Sequence, residues 1–301
     1  MTRLLVRTPS AAEAEAVAAL VNAHSEALHG EPNISAQTVG DWLTDPTIDI
    51  RVAESAGALA CYGDMMVAPK GQRVHLDIRE HPDHPGSAAL LLDAFEATAV
   101  ERGANISRAY SDRAEASYVG QLEARGYTPI RHSFEMLIML EGTPESALIP
   151  EGLEIRSRKD GQERLMYDAS TASFRDHWSF EPRTYDEWAR AHIESASADP
   201  SLQFLAWDGD EVVGVCLCAP HQSAQPGFGW VDVLGVRAPW RRRGLALALL
   251  TLAFEEFRTR GFDRVGLGVD GESTTGALQL YERAGMHVDK RQDTYERTLP
   301  F

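Results

Sequence analysis

Cysteine is scarce in this chain: three in 301 residues, an odd number that excludes the disulfide framework of a small secreted domain. Cys216 and Cys218 stand two apart in Val-Val-Gly-Val-Cys-Leu-Cys-Ala-Pro, so a strand places both on one face. With no further cysteine nearby they read as core thiols, and no metal is expected. No apolar run approaches the roughly 18 residues of a membrane helix, and the opening Met-Thr-Arg-Leu-Leu-Val-Arg lacks a signal-peptide apolar segment. The expectation is a soluble cytoplasmic protein with no membrane partner. No Gly-Lys-Ser/Thr run follows a glycine-rich loop, which disfavours a P-loop enzyme. Basic residues are also few, 29 against 45 acidic for a net charge of −16, which argues against nucleic acid as a partner.

What is present suits two packed domains. The length exceeds one typical domain, and 44% apolar residues suffice for cores. Residues 1–145 carry 21 acidic and 11 basic side chains, whereas arginines gather at 237–243. The division expected is 1–143, a linker at 144–152 punctuated by Pro and Gly, and 153–301. The two sides read as diverged copies: Leu4–Arg7 and Leu153–Arg156 as opening strands, Glu31-Pro32 and Glu181-Pro182, helices holding Trp42 and Trp188, and closing turns at Gly126-Tyr127 and Gly285-Met286. Aligning those closing turns sets Tyr281 opposite Leu122.

The second copy predicts β 153–157, α 160–173, α 183–194, β 202–208, β 211–219, β 229–236, α 243–260, β 264–270, α 274–284 and β 288–298. Asp208-Gly209-Asp210 is the turn of a hairpin. Val231–Val236 is a strand that runs through Arg241-Arg242-Arg243-Gly244-Leu245-Ala246 into the apolar helix pattern Leu-Ala-Leu-Ala-Leu-Leu. The first N–H groups of such a helix lack intrahelical acceptors, and the dipole and guanidinium groups add positive charge. Gly244 admits a ligand close to the backbone. This describes a site for an anionic group. In the first copy, the corresponding Arg79–Ala88 carries acids, and Pro85 there removes an N–H.

Arg241-x-x-Gly244-x-Ala246, set between two strands with a helix following, resembles the acyl-CoA signature of the GCN5-related N-acetyltransferases (GNAT). Gly276–Met286, with Leu280-Tyr281 and Gly285, is similar to the later helix of that family. The resemblance covers roughly residues 153–301 and extends to tandem members of the mycothiol synthase type. It implies an α/β fold of two tandem GNAT domains, each a mixed, mostly antiparallel sheet flanked by helices, with the N-terminal copy degenerate. It implies acetyl-CoA as co-substrate, held by Arg241, Arg242, Arg243, Gly244, Leu245, Ala246 and the Leu234-Gly235-Val236 strand end. Ser273 stands where the family often has Asn.

By the same resemblance, Tyr281 is the acid that protonates the leaving thiolate. Simple alternation puts 230, 232, 234 and 236 on one face. Asp232 is then a base, a contact for the substrate cation or a solvated residue, and all three stay open. Trp230 replaces a Glu found in some members. The dense segment 174–183 offers Asp176, His177, Trp178 and Glu181 for an amine acceptor, or closes a small core. The reading is direct acetyl transfer to a primary amine of a small molecule. A non-catalytic acyl-CoA sensor and a protein N-acetyltransferase are the alternatives, and monomer and homodimer both stay open.

Overall fold

The computed structural model describes residues 4–142, 147–195, 197–221, 226–273 and 275–300. In chain order the elements are β1 (Leu5–Arg7), α1 (Ala14–His29), α2 (Ala36–Thr44), β2 (Ile48–Ser55), β3 (Ala58–Val67), β4 (Arg73–Glu80), α3 (Ala88–Glu101), β5 (Ile106–Asp112), α4 (Ala116–Ala124) and β6 (Thr128–Met139). There follow β7 (Leu153–Ser157), α5 (Glu163–Ser173), α6 (Tyr185–His192), β8 (Gln203–Asp208), β9 (Glu211–Pro220), β10 (Phe228–Val236), α7 (Leu245–Thr259), β11 (Arg264–Asp270), α8 (Ala277–Arg283) and β12 (His287–Thr298). Among the described residues no helix is long and apolar enough to cross a membrane.

Two compact units result. The first is made of residues 4–133 and 291–300, the second of 134–221 and 226–290. In the first the strand order is β1-β2-β3-β4-β5-β12; in the second it is β6-β11-β10-β9-β8-β7. Each unit thus completes its sheet with the strand that ends the other half of the chain. In both sheets one pair is parallel, β4 with β5 and β10 with β11, and the other strand pairs with a given register are antiparallel. The mixed, mostly antiparallel architecture expected from the sequence is the one found.

Local chemistry explains the elements. β4 alternates strictly, with Val74, Leu76 and Ile78 buried and Arg73, His75, Asp77 and Arg79 half-buried, so one face packs and the other stays polar. Thr184 caps α6 in a reciprocal box with Glu187. Asp208 and Glu211 pair across the two-residue turn at Gly209, whose φ is +58°. Helix α7 buries Leu249, Leu250, Phe254 and Phe257 in one core of the second unit, with Val231, Val265 and Leu267 from the strands. Each such side chain contributes roughly 1.5–3 kcal/mol. Met166, Trp188, Leu205 and Val215 form the core on the opposite face, under α5 and α6.

The internal repeat holds at hydrogen-bond detail. Tyr127 N–H donates to the Leu122 carbonyl at 3.1 Å, and Met286 N–H donates to the Tyr281 carbonyl at 3.0 Å. Gly126 and Gly285 both adopt positive φ, +84° and +92°, to make that turn. Leu122 and Tyr281 are therefore equivalent positions.

Candidate functional site

The site begins where β10 and β11 part. Their parallel pairing runs from Phe228↔Arg264 to Val231↔Leu267 and goes no further, while β10 continues to Val236 against β9. Arg237 N–H donates to Val213 on β9 at 2.9 Å, so by alternation the backbone groups of Leu234 and Val236 turn to the edge that β11 has left. That edge can pair with an extended amide-bearing ligand, although Arg241 Nε already occupies the Val236 carbonyl at 2.9 Å.

A bulge changes the faces of this strand. The register with β9 shifts between Val231 and Val233, making Asp232 the extra residue. Val231 and Val236 lie in the core under α7 and Leu234 packs against it, whereas Val233 packs toward the α5–α6 core. Asp232 therefore sits where simple alternation is broken, and its carboxylate acts on Cys218, a thiol of the same core as Val231 and Val236. Asp232 is accessible to solvent yet surrounded by enough protein that desolvation pushes its carboxyl up to about 6. It has no hydrogen-bond or ion-pair partner among the described residues.

Tyr281, on α8, is 7% exposed, and its phenol is pushed up to about 12, chiefly by burial and then by the nearby Cys216. Its hydroxyl also has no partner among the described residues. Cys216 and Cys218 are buried on one face of β9 with their sulfurs 3.5 Å apart. The charge of Asp232 is felt at Cys218, as that of Cys216 is at Tyr281. Asp232 is therefore near Cys218, and Tyr281 near Cys216. Burial raises Cys218 far above an ordinary thiol, which marks it as inert packing.

The basic turn divides its labour. Arg241 forks onto the Asp176 carboxylate, with Nη2 2.8 Å from Oδ1, and donates to the carbonyls of Val236 and Ser173 at 2.9 Å. It is a strut tying the end of α5 to the turn, and its hydrogen bond holds the Asp176 carboxyl down to about 2. Asp176 is accordingly held in place by Arg241, with 53% of its side chain exposed. Arg242 and Arg243 are exposed and have no partner among the described residues. Gly244 caps α7 at φ +91°, with nothing within 4 Å of the place its Cβ would take. The first backbone bond of α7 runs from Ala248 N–H to the Gly244 carbonyl, leaving the N–H groups of Leu245 and Ala246 without intrahelical acceptors. This open, cationic helix start fits a pyrophosphate.

The aromatic segment reaches the same strand. A Cβ on Gly235 would stand 2.8 Å from Ser173 Cβ and 3.1 Å from the Phe174 ring, so glycine there lets Phe174 lie against β10. Phe174 carries the His177 ring at 4.6 Å and the Phe180 ring at 6.5 Å. Burial lowers the His177 imidazole below its ordinary range. Trp178 is 44% exposed and follows in the same loop as Glu181. Ser273 is engaged locally, its hydroxyl 2.8 Å from that of Thr275 at the entry to α8. Trp230 packs edge-on to Phe228 and beside His221, an aromatic cluster in place of a carboxylate. A groove of about 630 Å³ along α5 and the β8–β9 turn is lined by none of the residues expected from the sequence. Among the described residues no cluster of three His, Cys, Asp or Glu is placed to hold a metal.

The counterpart of the basic turn in the first unit is filled from within. Glu80, 7% exposed, closes β4 with its carboxylate at the start of α3. It accepts from Ala88 N–H at 2.8 Å, from Gln121 Nε2 at 2.9 Å and from Ser117 Oγ at 2.9 Å. Pro85 precedes the helix and removes no N–H from its first turn, so the obstruction is Glu80 rather than the proline.

A parted parallel pair above an open, cationic helix start defines an acyl-CoA transferase fold, and comparison with known proteins agrees. The model of the acetyltransferase (GNAT) family matches residues 164–286. A GCN5-related N-acetyltransferase from Sphaerobacter thermophilus is 32% identical in its crystal structure, with a TM-score of 0.83 over 99% of this chain and 96% of that one. The chain belongs to the GCN5-related N-acetyltransferase family. The mycothiol acetyltransferase of Geodermatophilus obscurus is 31% identical over 54% of each chain, so that match spans about half the length of either protein. That of Stackebrandtia nassauensis is 28% identical over 93% of each.

Proposed function

We propose that the second unit transfers an acetyl group from acetyl-CoA to a primary amine of a small molecule, directly, within a ternary complex. The observation that carries this is the parting of β10 from β11 beside the open, cationic start of α7, with Asp232 and Tyr281 both without partners among the described residues. Acetyl-CoA supplies an activated thioester; Arg242, Arg243 and the α7 start would hold its phosphates, and the β10 edge its amides. Asp232, half-ionised near pH 6, takes the proton of the acceptor ammonium. Tyr281, protonated throughout the neutral range, gives its proton to the departing thiolate. The new carbon–nitrogen bond forms as the carbon–sulfur bond breaks; the first ammonium proton passes through Asp232 to solvent, and the second, lost from nitrogen as the amide forms, restores the Tyr281 phenol. Phe174, His177 and Trp178 border the acceptor's approach.

The mycothiol acetyltransferase relatives support a small-molecule acceptor. The internal carboxylate of Glu80 supports assigning acyl-CoA to the second unit and a non-catalytic role to the first. Tyr281→Phe tests the reading: acetyl-CoA should bind as in wild type while CoA release with a panel of amino sugars, cysteinyl amines and peptides falls by about 10²–10³. Unchanged turnover removes Tyr281 from the reaction. Tight acetyl-CoA binding with no turnover on any acceptor establishes the sensor instead.

A further inference from the structure

On the first unit's sheet, four polar side chains meet where strands ordinarily bury apolar ones. Tyr62 and Asp64 share a face of β3, Asp77 and Arg79 share one of β4, and the register sets Asp64 opposite Asp77 and Tyr62 opposite Arg79. Tyr62 donates to Asp64 at 2.9 Å, and Arg79 forks onto Asp77 with Nη2 at 2.9 Å. Glu115 stands beside them, 2.9 Å from His24 Nε2. Three carboxylates therefore surround a single guanidinium that is already committed to one of them. Burial, then the facing carboxylate, raises Asp64. One side is open: Asp77 keeps 37% of its side-chain surface, against 18% for Arg79.

Tyr118, on α4, provides an independent observation. It is 1% exposed, and its hydroxyl is buried without a hydrogen-bond partner among the described residues. Burial apart, the groups acting on that hydroxyl are Asp77 first, then Tyr127, Glu115 and Arg79, so it borders the same cluster. A buried hydroxyl that bonds nothing destabilises a fold, and phenylalanine would fill the same space without that penalty. A ligand that accepts or donates there removes the penalty.

We propose that this cluster is a second small-molecule site, taking a compact primary ammonium with a neighbouring hydroxyl, its N–H groups toward Asp64 and Asp77 and its oxygen toward Tyr118. An anion is disfavoured by the excess of carboxylates. A metal ion lacks a suitable donor set among the described residues. The site is separate from Asp232 and Tyr281 and needs no acyl-CoA.

The test uses the full chain carrying Asp232→Asn, so that binding at the acceptor site is suppressed, and follows ethanolamine and its neutral N-acetyl derivative by ligand-observed NMR. Ethanolamine should bind and the N-acetyl derivative should not. Asp77→Asn should weaken binding by about tenfold or more. Tyr118→Phe, which deletes an oxygen that bonds nothing, keeps the test independent of folding. It should weaken ethanolamine binding roughly threefold while raising the melting temperature of the unliganded protein. A merely structural tyrosine cannot produce that opposite pair of effects. Equal binding of the neutral derivative, absence of ethanolamine binding, or binding indifferent to both substitutions overturns the proposal.

Discussion

Glu80 can be removed to ask what an internal anion contributes to a site that evolved for an external one. In Glu80→Ala, Ala88 N–H, Gln121 Nε2 and Ser117 Oγ lose their common acceptor, and the α3 start loses its counter-charge. Hydrogen bonds to a charged group are worth about 1.5–3 kcal/mol each, but water entering the vacated space restores part of them. The helix-terminus term adds about 0.3–1 kcal/mol. The expected net loss is about 3 kcal/mol, which for a unit of this size lowers its melting transition by roughly 6–12 °C. Glu80→Gln retains one acceptor oxygen for Ala88 and should cost about half as much. Scanning calorimetry reads both, and titration calorimetry on the wild type should find one acetyl-CoA per chain. A loss below about 1 kcal/mol in Glu80→Ala, or two acetyl-CoA molecules per wild-type chain, refutes the argument that Glu80 fills the phosphate seat.

On the proposed mechanism, Asp232 ties activity to pH. A base works deprotonated, so kcat/KM should rise as pH climbs through about 6 and level off above it. Asp232→Asn should abolish that limb, and an unchanged profile would exclude Asp232. Stability should run the other way. A carboxyl raised above its unfolded value of about 3.9 resists ionisation in the folded state, so Asp232→Asn should stabilise above pH 6 and be neutral near pH 3 in denaturant titrations. Gly235→Ala sets a methyl 2.8 Å from Ser173 and 3.1 Å from Phe174. It should cost about 1–3 kcal/mol and raise the acceptor KM more than the acetyl-CoA KM. Arg242 and Arg243 replaced together by Gln should weaken acetyl-CoA binding and flatten its dependence on ionic strength, measured by titration calorimetry from low to high salt.

The parts of this molecule that the sequence made legible are those whose cause is local. The α7 start is written in consecutive residues, an arginine run, a glycine and an apolar helix, so its chemistry can be read without any fold. The equivalence of Leu122 and Tyr281 follows from the same closing turn recurring in both copies, each with its glycine at positive φ. The parts that were not legible depend on distant partners or on a single inserted residue. Arg241 looks like a phosphate ligand until Asp176, 65 residues earlier, takes its fork. The bulge at Asp232 leaves no sign in the alternating pattern, because only the register against β9 reveals the extra residue. The exchange of β6 and β12 leaves no local trace, since either strand suits either sheet. Glu80 shows most plainly why the site of each unit had to be seen in three dimensions. Both units offer a strand end leading to a helix start. One fills it with a carboxylate from its own strand and anchors that carboxylate with Ser117 and Gln121 on the next helix. The other keeps glycine at the helix start and leaves two arginines without a partner among the described residues. A difference that reads in sequence as missing arginines is, in structure, a seat already taken.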